Sequence, residues 1–311
     1  MNKNKQEKEL KEEKEEKEEK DEVPEILYKT KTKVDFPGCN LSFMIDPKTP
    51  EQFLATVRQI TKYPVLKEEE EEETYPTCHS RVLFLVLGSS FQVLQHKELL
   101  EKHPRTRYLS FTTGIEDCRF ISENYMSGVC LDTNENWQPE MCLCHIHDSS
   151  LELIPLLLQG DDNPQKNWLF LDQTEYSMNM IHSYNPLQIV SVEKTTGISK
   201  IIHLRKLFNI SDFEVHGGAC VYLEKEKIFL VLVRLTRNHV YCGSMWFIMN
   251  KQYKLLGLSP VFLFDKTFQY EMCMSLVQKN NSILASVSFD DLHMYIYEFS
   301  LDSIFSSMMD M

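Results

Sequence analysis

The sequence predicts an all-β protein, a single five-bladed β-propeller over residues 23–311 preceded by a disordered charged tail over 1–22. Three observations carry that expectation. Short runs rich in β-branched and aromatic residues recur at 81–87, 167–171, 178–184, 219–223, 227–234 and 293–299. Many of them pair across polar turns, at 172–176, 224–227 and 279–282. The pairs also repeat. A polar approach segment precedes a strand pair near Asn40, Glu116, Lys166, His216 and Tyr270, the last four at intervals of roughly 50 residues, which is the period of propeller blades. The first interval is longer and holds an acidic insertion at 67–73. Blades of about 55 residues fill the remaining length, and a pair of two-sheet sandwiches is the competing arrangement. Only residues 53–60 and 90–100 read as helices.

Residues 1–22 hold ten acids and seven lysines with almost no apolar side chain, so they have no face to bury. The insertion at 67–73 adds six glutamates to one lysine. These two tracts carry −8 of the formal −13, which leaves the other residues mildly acidic. No segment has enough Lys and Arg to neutralise many phosphates, which argues against nucleic-acid binding. No apolar run reaches the roughly 18–20 residues of a spanning helix, and no signal-peptide pattern is present. Nine cysteines without CxxC spacing read as reduced core thiols, so the expected location is cytoplasmic.

The polar residues that interrupt the β pattern fall at one phase of successive repeats. They are Asn40-Leu41-Ser42, Gly114 to Arg119, Gln165 to Trp168, His216 to Gly218, and Asp290-Asp291. Singly, Gly114 to Asp117 reads as a turn and Lys166 as a strand cap. In a propeller, equivalent positions of each blade point into one central funnel, so these residues would converge on a polar, anionic or polyhydroxylated ligand.

Gly114-Ile115-Glu116-Asp117-Cys118-Arg119 resembles the Gly-X-Glu-Asp-Pro-Arg motif of the five-bladed-propeller β-mannoside phosphorylases and related mannosyltransferases. Gln165 to Trp168, the run from Met180 to Leu187, His216-Gly217-Gly218, and the stretch from Ser259 to Asp291 are similar, in the same order, to further family segments. Asn40-Leu41-Ser42 and the run from Arg58 to Tyr63 resemble another pair. The likeness covers about residues 35–300, with Cys118, Leu41, Lys62 and Gln165 departing from the family's usual residues. It implies inverting glycosyl transfer or phosphorolysis of β-mannoside-like substrates. Inorganic phosphate, or an acceptor in the reverse direction, then needs only one protein acid rather than two. By this resemblance Asp117 is the general acid. Arg119, Lys166 and His216 would contact phosphate or sugar as charge-assisted donors. Asn40, Arg58, Glu116, Asn167 and Asp291 complete the substrate site. The expected partners are a sugar or sugar phosphate and inorganic phosphate, with no cofactor and no metal. A non-catalytic propeller binding glycans or proteins is the alternative.

Cys142-Leu143-Cys144-His145-Ile146-His147 has the composition of a metal box. Strand alternation, however, sends both cysteines to one face and both histidines to the other, so one ion could not easily collect all four. No Gly-rich phosphate loop, nucleophile elbow or HExxH motif is present. Trp168, Tyr184, Trp246 and Tyr295 read mostly as core aromatics.

Overall fold

The structure, a computed structural model, describes residues 23–62, 78–102, 112–135, 138–158, 166–206, 213–238 and 240–310. The charged tail at 1–22, the acidic insertion at 67–73 and Gln165 lie outside them. The described chain is almost entirely β, with one helix among these residues, Leu301–Ser306.

A short strand β1 (Thr30–Lys33) is followed by an antiparallel meander of β2 (Cys39–Ile45), β3 (Phe53–Lys62), β4 (Cys78–Leu87) and β5 (Val93–Glu101). A second meander holds β6 (Thr112–Ser122), β7 (Tyr125–Cys130), β8 (Glu140–His147) and β9 (Ser150–Pro155). After the two-residue β10 (Leu157–Leu158), the next comprises β11 (Leu169–Gln173), β12 (Ser177–Tyr184), β13 (Leu187–Glu193) and β14 (Ile198–Arg205). Then come β15 (Glu214–Leu223), β16 (Ile228–Arg237), β17 (Val240–Asn250) and β18 (Leu255–Leu258). The last meander has β19 (Glu271–Lys279), β20 (Ser282–Phe289) and β21 (His293–Ser300), and β1 supplies its fourth strand by pairing antiparallel with β21. The terminal β22 (Met309–Asp310) pairs with β18.

Each pair of neighbouring meanders encloses an apolar cluster. Val82, Cys118 and Cys144 pack between the first two, and Leu143, Trp168 and Val190 between the second and third. Leu187, Phe229 and Phe247 follow, then Trp246, Phe289 and Phe299. The last meander packs back on the first through Val277, Ile296, Phe43 and Phe53. Each Val, Leu, Ile or Phe side chain among them contributes about 1.5–3 kcal/mol on burial. The first strands stand side by side, with β6 against β2, β2 against β19, β19 against β15 and β15 against β11. The approach segments expected near Asn40, Glu116, Lys166, His216 and Tyr270 lie in, or just before, these first strands.

Two sequence expectations are corrected. Residues 53–60 and 90–100 are not helical and contribute β3 and β5. In β3 the alternate residues Phe53, Ala55 and Val57 enter one cluster, a period of two rather than 3.6. The run in β5 is rich in Leu, Gln, Lys and Glu, which favour helices. The ladder to β4, from Val82↔Leu99 to Leu87↔Val93, overrides that weak preference. Among the described residues, no helix is long and apolar enough to cross a membrane. All nine cysteines are free thiols, and six of them are buried.

At the start of β19, Glu271 is only 1% exposed. Its Oε2 accepts from Tyr241 Oη at 2.7 Å and from the Phe264 N–H at 3.0 Å, and Oε1 accepts from the Asp265 N–H at 2.9 Å. Burial outweighs these three donors and pushes the carboxyl up to about 7.

Candidate functional site

The first strands share a local irregularity. Pairing slips between Cys39 and Ser42 in β2, Glu116 and Arg119 in β6, Phe170 and Asp172 in β11, Gly217 and Ala219 in β15, and Cys273 and Ser275 in β19. Such bulges re-aim the side chains they carry. Within two of them Asn40 (φ 55°) and Asp117 (φ 51°) adopt the left-handed conformation that Asn and Asp tolerate best. Asn167 (φ 59°) does so just before β11, and Asp290 (φ 50°) and Asp291 (φ 51°) do so in the β20–β21 turn.

These residues meet. Asn40 Nδ2 donates to Asp117 Oδ1 at 2.7 Å, while the Asn40 N–H is held by Ser288 Oγ at 2.8 Å. Arg58, on β3, donates to Glu116 Oε1 at 2.5 Å and to Ser80 Oγ at 3.0 Å, and it stands 3.7 Å from Asp117 Oδ1. Asp291 joins electrostatically. Its carboxyl is raised by burial and then by Asp117, against the opposing pull of Arg58 and an Asn40 hydrogen bond. Glu116 is raised by burial, which Asp117 and Asp291 reinforce and Arg58 and Lys166 oppose. Burial works against the Arg58 charge, yet Glu116 and Asp117 prevail and its pKa lies above the usual value.

Arg119 is turned inward. Its NH1 donates to the Gly218 and Cys273 carbonyls and NH2 donates to Asn167 Oδ1 at 3.3 Å, so one buried guanidinium on β6 ties together β15, β19 and the entry to β11. Desolvation lowers its pKa, with Asp117 pulling the other way. Lys166 is exposed and acts on Glu116 through space. His216 is half-buried on β15, its Nε2 lying 2.9 Å from Thr236 Oγ1 and 3.6 Å from Glu214 Oε2. The structure thus joins Asn40, Arg58, Glu116, Asp117, Arg119, Asn167 and Asp291 in one network. Lys166 stands at its margin, and His216 contacts Thr236 and Glu214.

Sequence reasoning did not single out Arg234. It lies opposite His216 in the β15–β16 ladder, donates to Tyr270 Oη and stacks 4.8 Å over that ring. Its Nε is buried without a hydrogen-bond partner among the described residues. Desolvation lowers its pKa, while Asp117 and Asp291 oppose that shift and Arg119 adds to it. An arginine closing the apolar run 228–233 was the only available signal, and Tyr270 marked only a repeat phase. A cavity of about 220 Å³ runs along the same first strands, lined by Phe43, Phe120, Leu169, Cys220, Leu276 and Arg119 among others. Glu116, Asp117 and Asp291 do not line it.

The seam depends on Gly217. A Cβ there would stand 2.3 Å from the Asn167 carbonyl oxygen and 2.5 Å from Tyr184 Oη. Gly217→Ala is expected to lower stability by about 1–3 kcal/mol through overpacking. It should also displace Asn167. Equal denaturant midpoints for variant and parent would refute this.

No family model matches the chain, and no curated protein matches it by sequence. Solved structures do match. The β-1,2-mannobiose phosphorylase of Listeria innocua, in complex with β-1,2-mannobiose, superposes with a TM-score of 0.63 at 12% identity, covering 92% of this chain and 96% of that one. A glycosyl hydrolase from Bacteroides ovatus gives 0.59 at 10%, covering 88% and 86%. A GDP-mannose-dependent mannosyltransferase from Leishmania mexicana gives 0.53 at 11%, covering 88% and 90%. The chain is similar to these proteins in fold.

Proposed function

We propose that the chain is a carbohydrate-active enzyme on a five-bladed propeller, catalysing inverting glycosyl transfer or phosphorolysis of β-mannoside-like substrates. Each meander is read as one blade, β1 completes the last, and residues 23–311 form one domain. The observation that carries the reading is Asp117, presented on a bulge, held by Asn40 and facing Arg58 and Asp291. The neighbours sharing this fold include a mannobiose phosphorylase and a mannosyltransferase.

Asp117 is the general acid. Its contacts to Asn40 and Arg58 both fall on Oδ1, which leaves Oδ2 to deliver a proton to the leaving oxygen, directly or through a sugar hydroxyl. Phosphate attacks the anomeric carbon from the opposite face, so a second protein carboxylate is not required as nucleophile. Arg58, Arg234, Lys166 and His216 supply donors for the anion and the sugar. Glu116 and Asp291 orient hydroxyls, and Arg119 acts through Asn167. The free thiols fit a reducing, cytoplasmic setting.

The test incubates the full chain with hexose 1-phosphates and nucleotide sugars plus free sugar acceptors, following phosphate or nucleotide release. A β-linked product from an α-configured donor is the expected outcome. Saturable glycan binding without turnover would favour the binding-only alternative, and neither binding nor turnover would remove the carbohydrate reading.

A further inference from the structure

Away from the Asn40–Asp117 network, the β8–β9 hairpin gathers two imidazoles and a carboxylate. His145 and His147 are two residues apart on β8 and so share a face, and Glu152 on β9 lies directly opposite His145. His147 Nε2 is 3.1 Å from Glu152 Oε2, and the two imidazole rings are 4.0 Å apart at their centroids. One ligand atom from each of the three residues lies within 4.8 Å of the others. Ligands 2.0–2.2 Å from a tetrahedral ion stand about 3.4 Å apart, so side-chain rotation of about an ångström closes the set.

The surroundings favour a site rather than a chance cluster. Tyr125, the cross-strand neighbour of His145 on β7, stacks on that imidazole at 4.5 Å and fixes its plane. All three candidate ligands are half-buried, open enough for an ion to enter and for water to complete its shell. Cys142 and Cys144 are fully buried on the opposite face, so the donor set is N₂O and not thiolate. One ion therefore cannot collect all four residues of the box, but Glu152 supplies a third ligand from outside it. One cation opposes binding: Lys102 acts on both His145 and Glu152.

We propose that His145, His147 and Glu152 bind one divalent transition-metal ion of the Zn²⁺ type, with water filling the remaining coordination. Because β9 also pairs with β5 through Leu100↔Ser150 and Glu101↔Leu151, the ion clasps the hairpin at the seam between the first two meanders. Its role is structural, since it binds the folded hairpin and not the unfolded chain.

Calorimetric titration of the full chain, stripped of metal by chelator, with ZnCl₂ tests this. One equivalent should bind and raise the thermal midpoint. His147→Ala and Glu152→Gln should each weaken binding at least tenfold, about what even outer-shell changes produce. Lys102→Gln should tighten it. Absence of binding to the parent chain, or an unchanged Kd in both ligand variants, overturns the proposal. Should a variant fail to fold, the Co²⁺ form of the parent decides: d–d bands without thiolate charge transfer support the site, and a thiolate band overturns it.

Discussion

Asp117→Asn is expected to lower kcat/KM for sugar transfer by about 10²–10⁴-fold, the usual worth of a positioned general acid. At 1.36 kcal/mol per decade this is about 3–5 kcal/mol of transition-state stabilisation. The substitution suits the question because it changes little else. Asparagine tolerates the left-handed backbone at φ 51°, and its amide oxygen can still accept from Asn40 Nδ2. The thermal midpoint should therefore remain near that of the parent. Asp117→Ala would confuse the matter, since it adds backbone strain of about 1–2 kcal/mol. Full activity in the asparagine variant would remove Asp117 from the acid role, and a large fall in thermal midpoint would assign it to the fold instead.

Glu271→Ala should be the most destabilising single change considered. It strands the buried Phe264 and Asp265 N–H groups at about 1–3 kcal/mol each and takes from Tyr241 Oη its shorter hydrogen bond, leaving Ser244 Oγ at 3.2 Å. Contributions within one network do not simply add, so about 3–5 kcal/mol is expected from chemical denaturation. Glu271→Gln should cost less, since it keeps one acceptor oxygen. It should also alter the pH dependence. The carboxyl is raised to about 7 in the folded chain, so the folded state holds its proton more tightly than the unfolded state does. That contribution is fully present below the ordinary glutamate range and is lost as pH rises to about 7. Stability should fall over that window by roughly 3 kcal/mol in the parent, at 1.36 kcal/mol per unit. The glutamine variant should show a flatter profile, and identical profiles would refute the role of Glu271.

Much of the architecture could be read from local pattern, because antiparallel meanders are built from neighbours in sequence. The polar phases at Asn40, Glu116, Lys166, His216 and Tyr270 mark the starts of β2, β6, β11, β15 and β19. Helix propensity misled where strand pairing decided the outcome, as in β3 and β5. The candidate site was legible where a motif placed several polar residues together, as in Glu116-Asp117-Cys118-Arg119. It was not legible at Arg234, which resembles the end of any apolar strand until Tyr270, 36 residues later, is brought beneath it. The inward turn of Arg119 was equally hidden, since its acceptors are the backbone carbonyls of Gly218 and Cys273.

The pairing of β1 with β21 has a consequence for the order of assembly. Thr30 to Lys33 must wait for Tyr295 to Glu298, so the first of the described strands pairs only after β2 to β20 have been made. Joining such distant segments in one step from a random chain would cost about 5 kcal/mol of loop entropy beyond a constant. Docking the meanders in sequence spreads that cost, since each one brings the ends closer. Until β1 docks, β21 offers an open row of amides and carbonyls on which a second chain could add a strand. Between synthesis of β21 and capture of β1, that edge is therefore open to mispairing with a second copy of the chain.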